Sequence, residues 1–130
     1  METAMKKRVL VTKSDQDAHE VSVRYLAQLL RDKGMEVIFT RYSIIDEVAK
    51  AALEEDVEVI ALSFYSSGLM FDTTRLMELL KKEGLKDGLK VVVGGTIGEQ
   101  ERTELLAMGV DNVFMPGMGN LLDVVACINS

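Results

Sequence analysis

Five short apolar runs punctuate the chain: Arg8 to Thr12, Glu36 to Thr40, Val57 to Ser63, Lys90 to Gly94 and Asn112 to Met115. Val59-Ile-Ala-Leu62 and Val91-Val-Val93 are continuous rather than alternating, the pattern of central strands covered on both faces. Between the runs, apolar residues recur at helical spacing. From about Glu20, Val21, Tyr25, Leu26, Leu29 and Leu30 are expected to share one face of a first helix that ends at Gly34. Ser43 is a natural cap for a second helix with Ile44, Ile45, Val48, Ala49, Ala52 and Leu53 turned inward. Asp72 would cap a third, running through Leu76, Met77, Leu79 and Leu80 to Gly84. Gly98 to Met108 supplies a fourth helix, closed by Gly109, and Leu121 to Ile128 a short fifth.

Strands alternating with helices predict an α/β fold, a parallel sheet with helices on both faces. Five of each fit the flavodoxin-like, doubly wound plan, a three-layer α/β/α arrangement with strand order 2-1-3-4-5 and a switch point between the first and third strands. The loop from Lys13 to Ser22 and the loop from Ser63 to Asp72 would then flank one crevice, where ligands bind in open α/β sheets. The chain shows no linker, repeat or low-complexity segment, so residues 1–130 are expected to form a single domain.

Composition narrows the partners. With 48% hydrophobic and 28% charged residues the chain reads as globular. A net charge of -6 leaves no basic stripe for a phosphate backbone, which argues against nucleic-acid binding. The single Cys127 lies in an apolar stretch and reads as a small buried hydrophobe in a reducing compartment. The first eight residues have no apolar signal core and no run reaches the length of a membrane span, so the expected location is cytoplasmic, away from the membrane.

Candidate chemistry concentrates at the predicted crevice. His19, the sole histidine, sits at a strand-to-helix turn with Asp17 two residues before it. A carboxylate so placed can fix the tautomer of the imidazole and leave its other nitrogen free for a metal. Read alone, a histidine near a helix start is more often a surface or capping residue, and the hydroxyl-rich segment from Ser63 is equally a polar loop. Gly94 and Gly95 would let a bulky ligand approach the backbone, or simply form a turn.

These residues carry a family resemblance. Asp17-Ala-His19-Glu-Val-Ser22 resembles the Asp-x-His-x-x-Gly signature of cobalamin-binding domains, Ser63-Phe-Tyr65 is similar to their Ser-x-Leu, and Gly94-Gly95 to their Gly-Gly. The three motifs follow in the family's order, each after the strand expected to carry it. The resemblance spans almost the whole chain and points to the carboxy-terminal cobalamin domain of methylmalonyl-CoA mutases and to the free-standing small subunits of related acyl-CoA mutases. It implies adenosylcobalamin bound base-off, with His19 as the lower axial cobalt ligand, Asp17 hydrogen-bonded to its distal nitrogen and Lys13 offsetting that carboxylate. The nucleotide tail would lie between the first helix and the sheet, against Ser63 and the Gly94-Gly95 turn, with Ala18, Ser22 and Tyr65 beside it. Ser22 stands where the family has glycine and Tyr65 where it has leucine, which alters the room around the tail and removes no cobalt ligand.

The chain has no room for a barrel enclosing an acyl-CoA. The resemblance therefore implies a cofactor-carrying small subunit, inactive alone, of a cobalamin-dependent isomerase whose larger partner holds the substrate. Alternatives on the same fold are a cobalamin carrier, chaperone or sensor module, and a corrinoid methyl-transfer protein. The last usually carries a helical cap ahead of the domain, whereas here the first strand starts near residue 8. FMN fits less well, because the loop after the first strand is acidic and repels phosphate.

Overall fold

The computed structural model describes residues 6–65, 68–115 and 121–130. The absence of a signal core was read partly from residues 1–5, and the hydroxyl-rich loop partly from Ser66 and Ser67; both stretches lie outside the described residues. In chain order the elements are β1 (Arg8–Ser14), α1 (Val21–Asp32), β2 (Glu36–Tyr42), α2 (Asp46–Glu54), β3 (Val59–Phe64) and α3 (Leu69–Lys82). A turn of 3-10 helix (Lys86–Gly88) precedes β4 (Lys90–Gly95), α4 (Glu99–Ala107), β5 (Asn112–Phe114) and α5 (Leu121–Asn129). The strands form one parallel sheet in the order β2-β1-β3-β4-β5, the predicted flavodoxin-like plan.

Alternation along each strand divides the interior in two. Val9 and Val11 of β1, Val59 and Ala61 of β3 and Val92 of β4 pack with Val23, Leu26 and Leu30 of α1 and Val125 and Ile128 of α5. The intervening Leu10, Ile60, Leu62, Val91 and Val93 face α2, α3 and α4 through Val48, Ala52, Leu76, Leu80 and Leu105. Both faces of the central strands are therefore covered, as their unbroken apolar runs require.

The first helix turns inward a stripe that partly overlaps the expected one, with Leu29 half-buried beside it. Val23, Leu26, Ala27 and Leu30 are buried, whereas Val21 is 85% and Tyr25 58% exposed. The apolar residues of α1 exceed what one face can hold, so spacing alone does not choose the stripe. In α2, Ile45, Val48, Ala49 and Ala52 are buried as expected, while Ile44 and Leu53 are exposed. Neither expected cap forms. The position before α2 is Ile45, and Ser43 instead has its N–H held by Glu47 Oε1 at 2.6 Å. Three residues before Asp72, α3 already begins behind Gly68, whose φ of +100° suits only glycine. Asp72 falls in the first turn, where its Oδ2 accepts the Tyr42 hydroxyl at 2.7 Å.

Candidate functional site

Because β1 pairs with both β2 and β3, the chain leaves its C-terminal end on one face and that of β3 on the other, which opens a crevice there. Register puts Lys13 beside Ser63, and Ser63 beside Gly94. The three candidate motifs thus meet at one edge of the sheet although they are far apart in sequence.

Asp17 joins two of them. Its carboxylate, only 4% exposed, accepts the His19 N–H on Oδ1 at 3.0 Å and the Tyr65 N–H on Oδ2 at 2.7 Å. The first bond is an Asx-type turn that shapes the loop after β1; the second ties that loop to the end of β3. A carboxylate accepting backbone N–H groups is a strong, charge-assisted anchor. The His19 side chain is 70% exposed, and its Nδ1 lies 3.6 Å from Asp17 Oδ1, beyond ordinary hydrogen-bond length. Its ring stacks on that of Tyr65, with centroids 5.1 Å apart and planes inclined by 26°.

Lys13 is 2% exposed and donates from Nζ to the Ser14 carbonyl at 2.7 Å. At the start of α1, the Arg41 guanidinium, which pairs with Glu20, holds that carboxyl below its usual range, with Arg24 and Lys13 adding to the effect. Arg41 and Arg24 both lie over the Phe39 ring, 5.0 and 5.7 Å from its centroid.

Beneath Tyr65 lies a cavity of about 290 Å³ between the sheet and the α1/α5 layer. Ser22, Ser63, Tyr65, Gly94 and Gly95 all line it. His19 and the exposed Ala18 sit beside it on the loop that Asp17 shapes, and Lys13 is outside its lining. The floor and walls are apolar: Val11, Leu26, Ala61 and Val92. Gly95 has φ +129°, and a Cβ there would stand 1.9 Å from the Phe64 carbonyl oxygen. At Gly94 a Cβ would meet Phe114 at an ordinary 3.7 Å.

Sequence reasoning missed the far wall, made by Phe114 at the end of β5, by Met115 after it and by Leu121 and Val124 of α5. The signal was present in the strand order, which carries α5 across to lie beside α1. Among the described residues no group of three or more His, Cys, Asp or Glu is placed to hold a metal, and no helix is long and apolar enough to cross a membrane.

Comparison with known proteins adds a family to this geometry. The chain is 42% identical over 124 residues to the pivalyl-CoA mutase small subunit of Xanthobacter autotrophicus, covering 95% of this chain and 82% of that protein. It is 32% identical over 109 residues to the 2-hydroxyisobutanoyl-CoA mutase small subunit of Aquincola tertiaricarbonis, covering 83% and 79% respectively. Among solved structures, a cobalamin-binding protein from Desulfitobacterium hafniense superposes with a TM-score of 0.80 at 21% identity, over 95% of this chain and 58% of its own length, a likeness of fold. The model of the B12 binding domain matches residues 7–125, and the chain belongs to that family.

Proposed function

We propose that the chain, as a single domain over residues 1–130, is the cobalamin-binding small subunit of an acyl-CoA mutase, with His19 as the lower axial ligand of cobalt and the cofactor base-off. The observation that carries this reading is the convergence of His19, Ser63, Tyr65, Gly94 and Gly95 around one apolar cavity at the switch point. The residues fit the cofactor. A lone, exposed imidazole suits a metal that brings its equatorial ligands with it. The cavity, near the roughly 300 Å³ lower end of small-molecule pockets, suits the flat, apolar dimethylbenzimidazole ring of the tail. Gly94 leaves its mouth open where a side chain would project.

Adenosylcobalamin supplies the cobalt–carbon bond whose cleavage starts the rearrangement. The chain's own residues hold and orient. Asp17 fixes the backbone from which His19 projects, Ser63 offers a hydroxyl to the tail, and the α1 and α5 side chains exclude water from it. The isomerisation itself needs a larger partner with the acyl-CoA site. The names of the two mutase small subunits support that, as does the surface. Parallel topology starts every described α-helix at the His19 end, and of the exposed large apolar residues, Val21, Ile44, Phe71 and Leu122 stand at or just before first turns, while Tyr25, Leu53 and Leu106 lie further along their helices.

The test mixes pure protein with adenosylcobalamin, desalts it and records the absorption spectrum. The expected result is retained cofactor with a base-off, histidine-ligated spectrum, lost in His19→Ala because the sequence has no second histidine. A folded His19→Ala protein with the wild-type spectrum would overturn the axial assignment.

A further inference from the structure

Tyr65 occupies a position where resemblance to cobalamin domains leads one to expect leucine, and its ring does what leucine cannot. The roots of His19 and Tyr65 are pinned by a single group, since one Asp17 carboxylate accepts both backbone N–H bonds. From these fixed roots the two rings meet face to face. Tyr65 is itself firmly seated, following Phe64, which is 1% exposed, at the end of a central strand. The imidazole is otherwise a largely solvent-exposed side chain, and such a side chain loses rotamer freedom when a ligand immobilises it.

We propose that Tyr65 is a positioning residue for His19: stacked on the imidazole, it restricts the ring's rotation before the corrin arrives. The role toward cobalt rests on the cofactor reading above. The stack itself does not. With centroids 5.1 Å apart and planes inclined by 26°, the two rings are offset-stacked, and an aromatic face can hold the imidazole in that arrangement, whereas a leucine side chain has no flat face to offer. Stacking needs the ring and not the hydroxyl, so phenylalanine should replace tyrosine and leucine should not.

Two measurements separate the stack from its consequence. Because His19 is the only histidine, its ring protons can be followed without ambiguity by NMR in the cofactor-free protein. They should be shifted upfield by the neighbouring ring in wild type and Tyr65→Phe, and move to random-coil positions in Tyr65→Leu. Corrin affinity is then titrated with adenosylcobalamin and with adenosylcobinamide, which lacks the nucleotide tail. Tyr65→Leu is expected to weaken both by the same factor, about 3–10-fold for one newly mobile side chain, and Tyr65→Phe neither by more than twofold. Unshifted His19 protons in wild type would overturn the stack. A loss confined to adenosylcobalamin would overturn the positioning role, leaving Tyr65 as cavity wall alone. Failure of the wild type to bind either corrin, with the ring shifts intact, would overturn the cofactor reading and keep the stack.

Discussion

Two neighbouring glycines at the end of β4 face opposite constraints. The left-handed φ of Gly95 and the 1.9 Å approach to the Phe64 carbonyl leave no place for a side chain, and the clash is with backbone, which cannot step aside. Gly95→Ala should therefore destabilise the protein by about 3 kcal/mol or more in chemical denaturation. Gly94→Ala, with contacts no closer than 3.7 Å, should stay within about 1 kcal/mol of wild type. Equal losses in the two variants would contradict the geometry. Asp17 is a second decisive residue. In Asp17→Asn one oxygen becomes an NH₂ that cannot accept a backbone N–H, so one of its two anchoring bonds is lost, at a cost of about 1–3 kcal/mol in a thermal or urea melt. The carboxylate's spacing from His19 is legible in the sequence, and its expected role toward the imidazole stays part of the proposed function. What the sequence does not show is that it also binds the main chain of its own loop and of Tyr65, a residue 48 positions away that no local pattern could pair with it.

The elements were largely legible, because short apolar runs and helical spacing report burial directly. All five strands and five helices stand where the pattern put them, with no end shifted by more than about four residues. What escaped was the choice among near-equivalent options. Both Ser43 and Asp72 have the chemistry of helix caps, yet the Ser43 N–H is held locally by Glu47, and the Asp72 carboxylate goes to Tyr42 at the end of β2. That bond links the edge strand to α3. Burial, and next the Asp72 carboxylate, push the Tyr42 phenol well above its ordinary value of 10.0. A phenol raised in the folded state favours folding fully below the unfolded value and loses that contribution as pH climbs past it. Stability should therefore fall above about pH 10, and Tyr42→Phe should flatten the fall. At neutral pH the same variant should cost about 1 kcal/mol for the lost hydrogen bond. Denaturation series across the alkaline range, in wild type and variant, would show it; parallel curves would refute it.

At the scale of the whole molecule, the two faces of the sheet have different duties. The α2, α3 and α4 side is closed core, whereas the α1 and α5 side leaves the cavity open toward the strand ends. On the proposed function a larger mutase chain would sit across the end of the sheet at which that opening lies and at which the helices of both layers start. Ile44→Asp and Phe71→Asp change side chains that are 63% and 78% exposed, so the melting temperature should hardly move. Copurification or calorimetry with the large chain should nonetheless show affinity lower by about tenfold or more if these are central contacts. Undiminished affinity would place the partner elsewhere. The strand order also sets a sequence in time. During synthesis the loop bearing His19 leaves the ribosome well before Tyr65, the partner of Asp17, which at roughly 5–20 residues per second takes several seconds more to be made. The last cavity wall, Val124, comes later still. On the proposed reading, a complete cofactor cavity therefore exists only once the chain has been made through Val124 and α5 has packed beside α1.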